Sequence, residues 1–236
     1  MVEKRKAPTF DSVIKFERST AEKHVILLVD TSTSMEDDGK MQAANSAVRA
    51  TPPSLCDLQA ANKGTQILLR VCVFNSDAKW LNKNAIPVND FQPEDMIAEG
   101  DTNTGDAIRL CANYIEQVKS TSSRNAGIVL ISDGQPNDPD EYEAALQEAL
   151  QQAAFEKADR IAIAIGDDAD RKSLKKFVSP GFPLYDVKNA SQLVEKLKLA
   201  SVIVAGGNPG GITGGEKKLE SIEPNPAISY ESIEWS

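Results

Sequence analysis

A chain of 236 residues with 35 acidic against 26 basic side chains carries a net charge of −9. That balance argues against neutralising nucleic-acid phosphates and suits cations or partners with basic patches. The length fits one α/β domain, which at about 200 residues buries roughly 70% of the surface its unfolded chain exposes, so no disulfide or structural metal is needed to hold it.

The three cysteines, Cys56, Cys72 and Cys111, are odd in number and lack CxxC spacing, which argues against a disulfide framework and against zinc. Reduced thiols in a cytoplasmic protein are the expectation. No apolar run reaches the ~18 residues of a membrane span, and the basic start MVEKRKAPTF has no apolar stretch behind it. Neither a transmembrane helix nor a secretory signal is expected.

In chain order, residues 1–20 read as an N-terminal extension and residues 21–204 as the folded domain. Strand-like runs appear at 24-HVILLVD-30, 66-QILLRVCVF-74, 127-GIVLISD-133 and 160-RIAIAIG-166, with a shorter one at 183-PLYDV-187. They are near-continuous in Val, Ile and Leu, the mark of strands covered on both faces in a parallel sheet. Helical patterns lie between them. The first spans 40-KMQAANSAVRA-50 and resumes at 54-SLCDLQAAN-62, with Pro52-Pro53 expected to kink or split it. Others follow at 105–119, with Ile108, Cys111, Ala112, Ile115 and Val118 on one face, and at 140–158, 170–178 and 190–204. The stretch 76–91, with Trp80 and Ile86-Pro87-Val88, predicts a short antiparallel edge strand or hairpin. The fold class is therefore α/β, a doubly wound three-layer sandwich around a mostly parallel sheet. Glycines crowd into 206-GGNPGGITGG-215, so residues 205–236 read as a Gly-rich linker and acidic tail. That tail is either disordered or a tether with Trp235 as a docking anchor.

Hard oxygen donors gather at three strand–helix junctions. Asp30 ends the first buried strand, and Ser32 and Ser34 alternate along the turn after it. The loop 100-GDTNTGDAI-108 adds Thr102 and Thr104, and 130-LISDGQP-136 adds Asp133 beside Gly134. In open α/β sheets ligands collect at the carboxyl ends of strands. Oxygen-only ligation suits Mg²⁺, Mn²⁺ or Ca²⁺ and does not suit zinc or copper. Each loop alone is weak, because a strand-ending Asp often only caps the next helix; the three together are a stronger signal.

The three strings 30-DTSTS-34, 102-TNTG-105 and 132-SDG-134 resemble the D-x-S-x-S, T-x-T-G and S-D-G pattern of von Willebrand factor type A domains with an intact metal-ion-dependent adhesion site. The likeness covers roughly residues 20 to 204. It implies that Ser32, Ser34 and Thr102 contact a divalent cation through their hydroxyls, with Asp30 and Asp133 acting mostly through water. Thr104 is then left as the N-cap of the following helix. The family often has glycine where this chain has Asp101. The implied function is protein binding: a partner's Asp or Glu carboxylate completes the shell of an under-neutralised ion. Glu36, Asp37 and Asp38 resemble the acidic end of the same string in integrin β subunits, where a second ion binds; the alternative is a solvated acidic turn.

The stretches 71-VCVFNSDAKW-80, 86-IPVNDF-91, 133-DGQPND-138 and 161-IAIAIGDDADRKSLKKF-177 are similar to the bacterial TerY-type group of tellurium-resistance and stress-response loci. This resemblance implies a scaffold or adaptor beside a co-encoded Ser/Thr kinase and a metal-dependent phosphatase, with no nucleic acid and no membrane among its partners. Thr213, Ser221, Ser229, Tyr230 and Ser232 in the tail would then be candidates for modification or docking. Asp170 is expected to cap the helix it precedes, with Asp167 on the same edge as the metal face.

An enzyme is not expected. The rival is a Mg²⁺-dependent phosphatase using Asp30, which would want a second carboxylate at position 32, where Ser32 stands. It would also want a lysine or arginine for the phosphoryl group, and none lies in the three loops. His24 is the single imidazole and reads as a half-exposed residue at a strand start. The third reading is a structural domain whose site stays empty.

Overall fold

Among the described residues, seven strands form from the apolar runs and the stretch after the second of them: β1 (Ala21–Asp30), β2 (Thr65–Phe74), the short β3 (Ala78–Trp80) and β4 (Ile86–Pro87), β5 (Ala126–Ser132), β6 (Asp159–Ile165) and β7 (Leu184–Val187). The structure is a computed structural model that describes residues 21–118, 125–206 and Trp235. The expected N-terminal extension 1–20, and the linker and tail other than Gly206 and Trp235, with the tail hydroxyls named above, fall outside the described residues apart from position 205.

The sheet order is β3-β2-β1-β5-β6-β7, with β4 also paired to β2. Pairs β2–β1, β1–β5, β5–β6 and β6–β7 are parallel, while β3 and β4 run antiparallel to β2. The antiparallel edge expected from 76–91 is thus present, as two short pieces. Val25 to Val29 of β1 and every residue of β5 and β6 are buried, because helices cover both faces, as their unbroken aliphatic sequence requires.

The helices are α1 (Lys40–Ala61), α2 (Thr104–Val118), α3 (Pro139–Leu150), α4 (Ala153–Glu156), α5 (Arg171–Phe177) and α6 (Ala190–Gly206). Helices α1 and α6 pack together on one face. On the other, α2 packs on α3 and α4, and α3 reaches α5 through the Tyr142 hydroxyl, which donates to the Ser173 carbonyl at 2.7 Å. Helix α1 runs through Pro52 and Pro53 without the expected split. Each proline removes one backbone donor, but Val48, Thr51 and Leu55 on the same side are buried, and tertiary packing outweighs the local cost. The pattern over 140–158 breaks instead, at Gln151 and Gln152, into α3 and α4.

His24 corrects the sequence reading. It is 3% exposed, and its Nδ1 lies 2.8 Å from the Tyr114 hydroxyl. Burial, partly offset by Glu22, holds its pKa below the usual value, so it is a neutral core residue. It also lies near the start of β1, at the opposite end of the strand from Asp30. Cys72 and Cys111 are buried, and burial raises both thiols, Cys72 to about 12. Both are inert packing groups.

Candidate metal site

The chain runs from β1 to β2 on one side and returns through α2 to β5 on the other. The carboxyl ends of β1 and β5 therefore flank the point where strand order reverses, the usual ligand crevice of such sheets. Asp30 closes β1 and Asp133 directly follows β5; both are fully buried.

The hydroxyl turn is tied down by its own carboxylate. The Ser32 amide donates to Asp30 Oδ1 at 2.9 Å, and the Ser132 hydroxyl donates to Asp30 Oδ2 at 2.6 Å. Ser32 Oγ and Ser34 Oγ are 3.0 Å apart, and Ser34 Oγ donates to Asp133 Oδ1 at 2.8 Å. Gly134 lies between the loops: a Cβ there would stand at ordinary contact distance, 3.7 Å, from both Ser34 Oγ and Thr102 Oγ1. All five predicted residues, Asp30, Ser32, Ser34, Thr102 and Asp133, thus gather around one crevice.

Backbone bonds hold the loops in that register. The Thr33 amide and hydroxyl both donate to the Gly100 carbonyl, at 3.0 and 2.9 Å. The Glu99 amide donates to Thr31, the Asn103 amide to Asn75 and the Asn137 amide to Thr102, at 2.8, 2.6 and 3.1 Å. A cavity of about 260 Å³ opens beside Thr102, lined in part by Ser76, Asp101, Asn137 and Glu141. Asp101 itself is exposed and is held by its amide on Ser76 Oγ at 3.1 Å.

Thr104 does not cap α2. It is the first helical residue, and the preceding Asn103 takes the capping position. Asn103 Oδ1 accepts the Asp106 amide at 3.2 Å, and its Nδ2 donates to the Asp106 carboxylate at 2.8 Å. Asp170 caps α5 as expected, accepting the amides of Lys172 and Ser173. Asp167 is exposed and paired with Lys188 at 2.8 Å. Glu36, Asp37 and Asp38 are exposed as well. Among the described residues, no three of His, Cys, Asp and Glu cluster so as to hold a metal ion, and a site here depends on hydroxyl donors.

Two residues escaped the sequence reading. Ser132, quoted only as part of a motif, orients Asp30. Lys40, at the first position of α1, reaches back so that its ammonium donates to Asp133 Oδ2 at 2.9 Å, with side chains 4% and 0% exposed. No cation lies in the three loops themselves, yet the fold brings this one to their centre. Its signal was visible in the sequence: a lysine in the first turn of a helix opposes the helix dipole and needs a specific carboxylate to offset that. Burial disfavours the Lys40 charge, but Asp133 first, then Asp168 and Asp37, raise its pKa overall. Burial also dominates at Asp30, raising its pKa to about 6 against the lowering effect of its bonds from Ser132 and Ser32.

The donor set suits a hard divalent cation: two carboxylates and three hydroxyls, without sulfur or imidazole. The carboxylates are partly committed already, Asp133 to Lys40 and Ser34, Asp30 to Ser132 and the Ser32 amide. Hydroxyl oxygens are the donors left for direct contact.

The von Willebrand factor type A domain model matches residues 24–198, three-quarters of the chain. The chain belongs to the von Willebrand factor type A domain family. A comparison with curated protein sequences yields no match. Among solved structures, the domain is similar to a von Willebrand factor type A protein from Catenulispora acidiphila, with TM-score 0.62 and 16% identity over 79% of this chain and 43% of that one. It is similar to the ArnB paralog VWA2 from Sulfolobus acidocaldarius, with TM-score 0.54 and 24% identity over 76% and 45%. It also resembles the pilus adhesin SpaC from Lactobacillus rhamnosus GG, with TM-score 0.60 and 15% identity over 79% and 31%. This chain spans less than half of each of these proteins, and at such identity the likeness is one of fold. Among the described residues no helix is long and apolar enough to cross a membrane.

Proposed function

We propose that this von Willebrand factor type A domain is a metal-dependent protein–protein interaction module and not an enzyme. The observation that carries the reading is that the Ser32, Ser34 and Thr102 hydroxyls lie around one crevice beside the buried Asp30 and Asp133 at the sheet's switch point. A divalent cation held there, Mg²⁺ or else Mn²⁺ or Ca²⁺, would supply an open coordination position for an Asp or Glu carboxylate of a partner protein.

The chain's own residues set the charge of that site. Asp30 and Asp133 contribute two negative charges and Lys40 cancels one, leaving a net −1 in the protein shell. A doubly charged ion then leaves the loaded site net positive, and an incoming carboxylate restores neutrality. Ser132 and the Ser32 amide fix the Asp30 carboxylate, and Ser34 fixes Asp133, so the donors are oriented before any ligand arrives. Lys40 is committed to the buried Asp133 at 2.9 Å, whereas a phosphatase would want its cation free for the transferring phosphoryl group. That placement favours binding over hydrolysis.

By its sequence likeness to the TerY-type group, we further assign the chain to the bacterial cytoplasm, as an adaptor in a stress-response, tellurium-resistance or defence phospho-signalling system. Its expected partners there are a co-encoded Ser/Thr kinase and a metal-dependent phosphatase. Millimolar Mg²⁺ or Mn²⁺ should raise the melting temperature by linkage to the folded state, and Asp30→Ala should abolish the gain. Partners retained on the immobilised protein with Mg²⁺ should be released by EDTA. An identical set of partners in both conditions would remove the ion from the interface.

A further inference from the structure

Trp235 is separated in sequence from α6 by residues 207–234, yet it is 3% exposed and belongs to the domain's core. Two directional bonds seat it. Its amide donates to the Lys188 carbonyl, just past β7, at 2.8 Å, and its indole Nε1 donates to the Asp38 carbonyl at 3.0 Å. Asp38 lies in the turn Thr33–Gly39, which carries Ser34 and leads into α1. Its backbone has φ 53 and is followed by Gly39 at φ 74; Asp38 is the sole non-glycine residue with positive φ among the described residues. Left-handed backbone is unfavourable for a residue with a Cβ and persists where surrounding contacts impose it. The indole bond lands on the carbonyl of that same residue.

We propose that the cleft between the 33–39 turn and the end of β7 is a tryptophan-docking surface. Its occupant is this chain's own C-terminal segment, presented in cis by Trp235, and docking there clamps the hydroxyl-bearing turn in the conformation that joins Ser34 to Asp133. A buried indole whose N–H is satisfied combines a large apolar contact with a fixed direction, the pattern of an interface anchor. One bond reaches the turn and the other the sheet edge, so the side chain staples a left-handed, otherwise exposed turn to the rigid part of the fold. The clamp involves no ion, and its test is run in EDTA so that it stands or falls separately from the metal reading.

The test is hydrogen–deuterium exchange of the full chain, followed at the amides of Met35 and Lys40. These donate to the Ser32 carbonyl and to the Asp37 and Met35 carbonyls, and so report closure of the turn. Trp235→Ala should speed their exchange tenfold or more while amides in β5 keep their protection. Trp235→Phe keeps the apolar filling but lacks the donor to Asp38, and should give a smaller, several-fold increase even if the alanine variant folds poorly. The peptide SYESIEWS, residues 229–236, added in excess to Trp235→Ala should restore protection, and the same peptide with alanine in place of tryptophan should not. Unchanged exchange in both variants would overturn the clamp. Protection in the native chain that rises with protein concentration would overturn cis occupancy in favour of a second copy.

Discussion

Lys40 decides the electrostatics of the crevice, because its ammonium lies in direct contact with a buried carboxylate that would otherwise be free to attract a cation. Replacing one partner of a buried pair leaves the other uncompensated, which costs roughly 3–5 kcal/mol. Lys40→Met should therefore lower the melting temperature in EDTA. The same change adds a full negative charge to the shell, so the Mg²⁺-dependent gain in melting temperature should be larger than in the native chain. Binding of an aspartate-bearing peptide to the loaded protein should weaken by about a hundredfold, the ~2.8 kcal/mol expected for a unit charge at roughly 6 Å in an effective dielectric near 20. A smaller gain with Mg²⁺ would show that Lys40 assists the ion and does not compete with it. Asp30 gives a second, pH-based test. Burial raises its folded pKa to about 6 from an ordinary 3.8, so the folded state holds this proton more tightly than the unfolded chain. In EDTA, the ionised Asp30 opposes folding in full above about pH 6, and that opposition is relieved as pH falls from about 6 toward the ordinary 3.8. With Mg²⁺ the trend reverses, because the proton competes with the ion for Asp30. The Mg²⁺-dependent gain should shrink steadily below pH 6 in a thermal-denaturation series.

Packing between elements explains both what the sequence reveals and what it conceals. The strands were legible because their aliphatic runs are unbroken, and β1, β5 and β6 are buried along those same runs. Two of the oxygen-bearing loops were legible because each follows such a run, and the third because its glycine-flanked threonines open helix α2. The split allowed for at Pro52-Pro53 does not occur in α1, since a local rule about missing donors says nothing of the buried side formed by Val48, Thr51 and Leu55. His24 was misread because its burial depends on Tyr114, far away in sequence on α2. The need of Lys40 for a carboxylate was legible from its place in the first turn of α1, but that Asp133, 93 residues on, is the partner was not. Gly127 illustrates the tightest such relation. A Cβ placed there would stand 2.5 Å from the Val204 Cβ and 2.6 Å from the Val204 carbonyl oxygen. Gly127→Ala should push α6 away from β5 and cost about 1–3 kcal/mol, as overpacking in a filled core does. Urea denaturation would read it as a lower midpoint at unchanged slope. An unaltered midpoint would mean that α6 yields without cost.

Across the whole molecule, the parallel sheet places three loops from distant parts of the sequence at one rim, and the antiparallel β3 and β4 pair with β2 at one end of the sheet order. The same order explains why Asp30 and Asp133 could be placed together before any coordinates, since the ends of adjacent parallel strands share a rim; the full set with Ser32, Ser34 and Thr102 came from the likeness to the family's motif. The orientation of those donors was not legible, because it rests on Ser132, Lys40 and the loop-to-loop backbone bonds. Nor was the burial of Trp235 against Lys188 and Asp38, which joins the far end of the chain to the turn that carries Ser34. The central claim is that the hydroxyls and carboxylates at the switch point bind one divalent ion. Electron paramagnetic resonance of Mn²⁺ tests it directly, since the six-line signal of the free ion disappears on binding. Titration into the native chain should remove the signal up to one equivalent. The double variant Ser34→Ala, Thr102→Val should leave it in place, while circular dichroism shows the fold retained. A native chain that leaves the free-ion signal intact at millimolar protein, or a double variant that still removes it, would contradict the assignment.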